Sequence, residues 1–254
     1  MHNYFKIISI VLILFMVQFS AFASQSAIED FEKGNSLYKE KKYEQAIQSY
    51  MKVIESGFES DAIYFNLGNG YFKNGDLGHA ILYYLKAKRL MPSNENIDHN
   101  LNFAQQFTSV QMEGIELNPV GALLDNFVAS YTLNLLGWVS SFMFILFITM
   151  LILKYGLVMI NPVLNVLTIL SLSVFIVVAS LTTYKYQAEY VIRRAVIISE
   201  ESTILTGPSE QSDREFEGSP GLVVEILSES GEYVNVIFSN KRRGWIAKNA
   251  LEEI

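Results

Sequence analysis

Residues 133–153 read LNLLGWVSSFMFILFITMLIL and residues 163–183 read VLNVLTILSLSVFIVVASLTT, and neither run contains a charge. Each holds roughly the 20 residues that a helix needs to cross about 30 Å of hydrocarbon. Between them lies the short segment 154–162, which ends in the helix-breaking pair Asn161-Pro162. The two runs therefore predict a membrane hairpin. Such a hairpin leaves everything before residue 133 and everything after residue 183 on one side of the bilayer. Two buried helices of a water-soluble core are the alternative, but soluble helices of this length normally carry charges on a solvent face.

The rest of the composition fits a chain with polar ends around that hairpin. Of 254 residues 50% are hydrophobic, yet the segments flanking the hairpin are ordinary polar sequence. A net charge of −7 with no basic stripe argues against nucleic acid as a partner. With no cysteine there is no disulfide, thiol nucleophile or thiolate metal site. At the start, His2 and Lys6 precede an apolar stretch from Ile7 to Phe19 and a small-x-small site at Ala21-Phe22-Ala23. This pattern predicts a signal peptide over 1–23, with an uncleaved anchor as the alternative. Either one exports the residues from Ser24 onward. The basic residues Lys185, Arg193 and Arg194 outnumber Lys154 of the loop and argue the other way. Orientation is assigned from the signal because the first inserted element usually sets it.

From Ala27 the sequence repeats with a period of 34. Gly34 recurs as Gly68, Tyr38 as Phe72, Ala46 as Ala80, Ile47 as Ile81 and Tyr50 as Tyr84. The second copy, 61–94, carries Tyr64-x2-Leu67-Gly68-x2-Tyr71, then Ala80-x3-Tyr84-x2-Ala87 and Pro92. It resembles the tetratricopeptide repeat, in which small residues mark the close crossing of paired helices A and B. The first copy, 27–60, is weaker, with Phe58 in place of proline. Residues 95–111 continue the period as a third A-helix that caps the stack, giving a helical solenoid domain over 24–112. Segment 113–132 reads as a linker followed by an interfacial helix or an extension of the first span, with Tyr131 and Trp138 at headgroup level.

Past a connector at 184–190, residues 191–254 alternate apolar strands with turns. The strands are Ala195–Ile198, Leu222–Leu227, Tyr233–Phe238 and Arg243–Ile246. With the Gly207-Pro208-Ser209 turn and the closing Gly244-Trp245-Ile246, this resembles a bacterial SH3 domain. That likeness predicts a small all-β barrel with Tyr233 and Trp245 as its binding surface.

Chemistry for catalysis is missing from the sequence: no HExxH, GxSxG, phosphate-loop or dinucleotide-binding motif occurs. His79 reads as a surface residue and Glu252-Glu253 as a solvated end. The chain is therefore predicted to be no enzyme and to need no cofactor. Resemblance to the tetratricopeptide family instead implies a peptide groove lined by Asn35, Tyr38, Lys39, Asn66, Asn69, Phe72 and Lys73. A clamp for a terminal carboxylate is not expected, since Phe31 stands where that pattern needs lysine. The whole order of signal, repeats, hairpin and SH3-like domain resembles the BatE type of the bacterial aerotolerance (Bat) family. It implies a scaffold in the bacterial inner membrane, with both soluble domains extracytoplasmic. Its implied partners are von Willebrand-type membrane proteins and a MoxR-type ATPase, with peptidoglycan binding as the alternative.

Overall fold

The computed structural model describes residues 25–108, 127–156 and 161–254. The signal segment, the linker at 113–119 and most of the interfacial helix lie outside these residues.

Five helices form the N-terminal part: α1 (25–39), α2 (Tyr43–Glu55), α3 (Asp61–Asn74), α4 (Leu77–Leu90) and α5 (Glu95–Gln105). Their starts are set by short polar side chains. Ser60 Oγ accepts from the Ile63 amide at 3.2 Å, and Asp76 Oδ1 accepts from the His79 amide at 3.0 Å. Gly75 closes α3 at φ +90°, and Lys41 holds the equivalent turn of the first copy at φ +62°. Within each repeat a tyrosine lies on a glycine. A β-carbon at Gly34 would sit 2.5 Å from the Tyr50 ring, and one at Gly68 2.5 Å from the Tyr84 ring. Ala46 and Ala80 are fully buried beside them. The small residues are thus what lets the paired helices touch.

Two long apolar helices follow: α6 (Leu133–Leu151), ending in a π-turn Ile152–Gly156, and α7 (Pro162–Tyr186), ending in a π-turn Gln187–Val191. Asn161 caps α7 and Pro162 occupies its first turn, where a missing N–H costs nothing. They pack antiparallel, with Phe144 against Phe175 at 5.3 Å and Thr168 and Ser171 buried between them. Both are long and apolar enough to cross a membrane. The hydroxyls of Ser141, Thr149, Thr168, Ser173, Ser180 and Thr182 are used within their own helices. Each donates to the carbonyl four residues earlier in its own helix. The expected connector at 184–190 is replaced, because the helix simply continues. Lys185 and Glu189, four apart and nearly buried, pair at 2.8 Å and hold that last stretch helical.

The C-terminal part is one antiparallel sheet of β1 (Arg194–Ile197), β2 (Ser202–Leu205), β3 (Arg214–Gly218), β4 (Val223–Ser230), β5 (Tyr233–Ile237), β6 (Arg243–Ala247) and β7 (Leu251–Glu253). Strand order is β3-β2-β6-β5-β4-β1-β7. The ladder is open at β3 and β7, whereas a barrel was expected. Its core gathers Ala195, Ile197, Ile204, Val224, Val236 and Ile246.

Helices and sheet share a face. Strand β1 is buried on both sides, and Val196 belongs to the core of the helical repeats. A β-carbon at Gly78 of α4 would lie 2.7 Å from Ile198 Cα, so backbone meets backbone there. Two residues expected to be solvated stand at this seam instead. His79 Nδ1 is 2.6 Å from Asp76 Oδ2, its ring stacks on Tyr71 at 4.8 Å, and its Nε2 lies 3.9 Å from Glu252. Glu252 also accepts from Lys86 Nζ at 2.9 Å, while Glu253 pairs with Arg193. The period of 34 made α4 visible but not the sheet that covers it.

Replacing Gly68 by alanine is expected to lower the stability of the helical part by about 1–3 kcal/mol, since the buried Tyr84 ring cannot give way. Thermal unfolding followed by helical circular dichroism checks this, and an unchanged midpoint would contradict it. The seam has a pH dependence with a definite sign. The hydrogen bond to Asp76 raises the His79 pKa against the opposing effects of burial and Lys86, with Asp76 and Glu252 charges adding to the rise. The contribution is therefore complete below the ordinary histidine value of about 6.5 and fades as pH climbs through the higher folded value. The protection of the β7 amides, taken relative to the unfolded chain at the same pH, should be greater at about pH 5.5 than at about pH 8.5, and His79→Gln should remove the histidine's share of that difference.

Candidate functional site

Residues 34 apart in a repeat of that period fall at the same place on successive A-helices. Asn35 and Asn69 occupy one such row, Lys39 and Lys73 another, and Tyr38 and Phe72 a third. In the structure Tyr38, Asn69, Phe72 and Lys73 line one open depression of about 370 Å³. Tyr84, His99, Asn100 and Phe103 complete it. Of these, His99, Asn100 and Phe103 sit on α5. They could have been found by carrying the same rows forward to the third A-helix, since Asn100 repeats Asn66 and Phe103 repeats Asn69. Asn35, Lys39 and Asn66 are not among its lining residues.

Its asparagines play a different part from the one expected. Asn35 Oδ1 accepts from the Tyr50 hydroxyl at 2.8 Å and from Asn66 Nδ2 at 3.0 Å. One repeat later, Asn69 Oδ1 accepts from the Tyr84 hydroxyl at 2.8 Å and from Asn100 Nδ2 at 2.8 Å. The acceptor side of both residues is therefore committed to the fold. These bonds leave unused the donor side of Asn35 and Asn69 and the acceptor side of Asn66 and Asn100. Burial pushes the Tyr50 phenol up to about 12 and raises Tyr84 as well. Both hydroxyls thus stay protonated and remain donors in this ladder.

Aromatic rings form the far end of the groove. Phe72 lies 5.6 Å from Phe103 and 5.7 Å from Phe107, and Phe103 lies 5.2 Å from Phe107. Phe103 and Phe107 are 45% and 56% exposed. Lys39 and Lys73 are exposed and, among the described residues, in no ion pair. Phe31, at the position a carboxylate clamp needs for lysine, packs its ring on Tyr50 at 5.8 Å.

On the sheet, Tyr233 and Trp245 lie on one face. Strand pairing sets Tyr233 opposite Ala247 and Asn235 opposite Trp245, so the two rings are diagonal neighbours on the side away from the sheet core. Both are half-buried. Asn235 Oδ1 between them is buried with no hydrogen-bond partner among the described residues.

Residues 34–75 match the family model described as TPR repeat, and residues 62–94 match that of the tetratricopeptide repeat. This stretch consists of tetratricopeptide repeats. Such repeats are protein–protein interaction scaffolds, and no enzyme family matches the chain. A solved structure described as the second TPR of Spaghetti (RPAP3) bound to HSP90 peptide SRMEEVD is 26% identical, with a TM-score of 0.33. The match covers 35% of this chain and 81% of that one. No curated protein matches the chain.

The committed acceptors separate structural from surface positions in the groove. Asn69→Ala strands the Tyr84 hydroxyl and the Asn100 amide and should cost about 1–3 kcal/mol. Lys73→Ala, at an exposed unpaired lysine, should stay within about 0.5 kcal/mol of wild type. Urea unfolding of the two variants side by side checks the contrast, and equal midpoints would refute it.

Proposed function

We propose that the chain is a membrane-anchored, non-enzymatic scaffold that presents its tetratricopeptide groove to protein partners. One observation carries the anchoring. In the most apolar windows of α6 and α7 only 6% and 11% of residues are buried by protein. Side chains such as Phe142, Ile145, Ile169 and Val177 are 61%, 61%, 67% and 57% exposed. A soluble helix of this composition would be covered by its own protein, and in water these faces would aggregate. Tyr131 and Trp138 near the start of α6, with Tyr184, Tyr186 and Tyr190 at the end of α7, make a belt suited to the headgroup region. Both soluble parts join the hairpin at that end. The segmentation into signal, repeats, hairpin and sheet supports an extracytoplasmic placement of both, in the inner membrane of a bacterium. The same order supports membership of a Bat-type assembly with von Willebrand-type partners and a MoxR-type ATPase, and a role in aerotolerance.

A second reading assigns the SH3-like likeness of the sheet to peptidoglycan. It is favoured by the Tyr233 and Trp245 face with its unpaired Asn235 acceptor. Under it, the detergent-solubilised chain should sediment with purified sacculi, and Trp245→Ala should release it. Under the scaffold reading sacculi leave it in solution.

Topology is tested by single cysteines in this cysteine-free chain, placed at Ser36, Glu210 and Tyr155. An impermeant thiol reagent, applied to cells with a permeabilised outer membrane, should label the Ser36→Cys and Glu210→Cys variants and spare Tyr155→Cys. Labelling at Ser36 with protection at Glu210 would overturn the hairpin.

A further inference from the structure

The rows that build the groove change character at the third helix. At the floor, the sequence of equivalent positions runs Asn35, Asn69, Phe103. Along the rim it runs Lys39, Lys73, Phe107. Over the two full repeats these two rows are polar and basic, and at α5 and the turn that follows it both become phenylalanine. These rings gather with Phe72 into the exposed triad. No carboxylate lines the depression beside them, although the chain as a whole is acidic.

Each group sets a requirement on what lies there. The free amide donors of Asn35 and Asn69 suit main-chain carbonyls, which every sequence offers. Neighbouring helices stand about 8–10 Å apart, the rise of about three extended residues, so one strand can meet both donors. The phenylalanine triad needs a large apolar side chain to cover it. Lys73 and Lys39, unpaired in the described residues, need carboxylates. A terminal carboxylate finds no cation on the groove floor, because Phe31 fills that position and the lysines stand at the rim, in the last turns of α1 and α3.

Resting on the groove reading above, we infer that the site holds an internal, extended segment of a partner protein rather than its chain end. A leucine, methionine or phenylalanine of that segment seats on Phe72, Phe103 and Phe107. Acidic residues about three and about six positions away meet Lys73 and Lys39.

The test uses the full chain in detergent micelles to select from two random peptide libraries of about ten residues, long enough to span three A-helices. One library is blocked at both ends and the other has a free carboxyl terminus. Wild type should enrich the blocked library in peptides with one large apolar residue and acids at the stated spacing. The double variant Phe103→Ala/Phe107→Ala should lose about ten-fold or more in affinity for those peptides, with helical circular dichroism unchanged. Lys39→Glu/Lys73→Glu should shift the selected charges from acidic to basic while keeping the apolar anchor. Enrichment of the free-terminus library alone would overturn the inference and leave the groove reading standing. Enrichment of neither library would overturn both. Selected peptides that bind the phenylalanine variant undiminished would overturn the anchor.

Discussion

Helix α4 has no side that it can leave in water. Gly78, then Ala80 through Tyr84, and Ala87 are all buried, an apolar surface running most of the way around one helix. A helix of that kind needs cover on every side. Helix α3 supplies one face through Gly68, and α5 supplies a second through Leu101 and Ala104. The remaining face is closed by β1, with Val196 and Ile198 against Ile81 and its neighbours. The two soluble parts of the chain are therefore one packed body, and the sheet does for the open repeat stack what a further helix would have done.

Much of this could be read in advance because it is written in periods. A 34-residue repeat fixes which glycine meets which tyrosine, and a charge-free run of about 20 residues fixes a helix long and apolar enough to cross a membrane. What could not be read was whatever depends on contact between distant segments. Strands β2 and β3 were missed because Ser202–Leu205 is short and Arg214–Gly218 shows most of its side chains to solvent. His79 and Glu252 looked like surface residues because nothing local tells that 173 positions of chain bring them within 3.9 Å.

The groove shows the same division. Of the seven residues that repeat arithmetic assigned to it, Tyr38, Asn69, Phe72 and Lys73 line the depression, and the use of each residue could not be read from the period. Asn35 and Asn69 were expected to grip a peptide, and they spend their acceptors on Tyr50, Asn66, Tyr84 and Asn100. The floor is thereby stiffened by bonds that join each tyrosine to its own repeat and each repeat to the next. Under the proposed reading, recognition falls to the positions left over, the lysines of the rim and the rings of Phe103 and Phe107. Rigidity below and chemistry above suit a scaffold, which gains affinity when little has to be ordered on binding.

The way α7 ends has a mechanical consequence. The helix runs through its π-turn to Val191, and β1 begins at Arg194, leaving only Ile192 and Arg193 between them. Strand β1 is in turn clamped against α4, whose partner α3 carries half of the groove. A tilt or rotation of α7 thus reaches the groove through two residues of slack, as a lever acts through a short, stiff joint. With α7 in a bilayer as proposed, local bilayer thickness or the pull of a neighbouring membrane protein would be felt in the attitude of the groove itself.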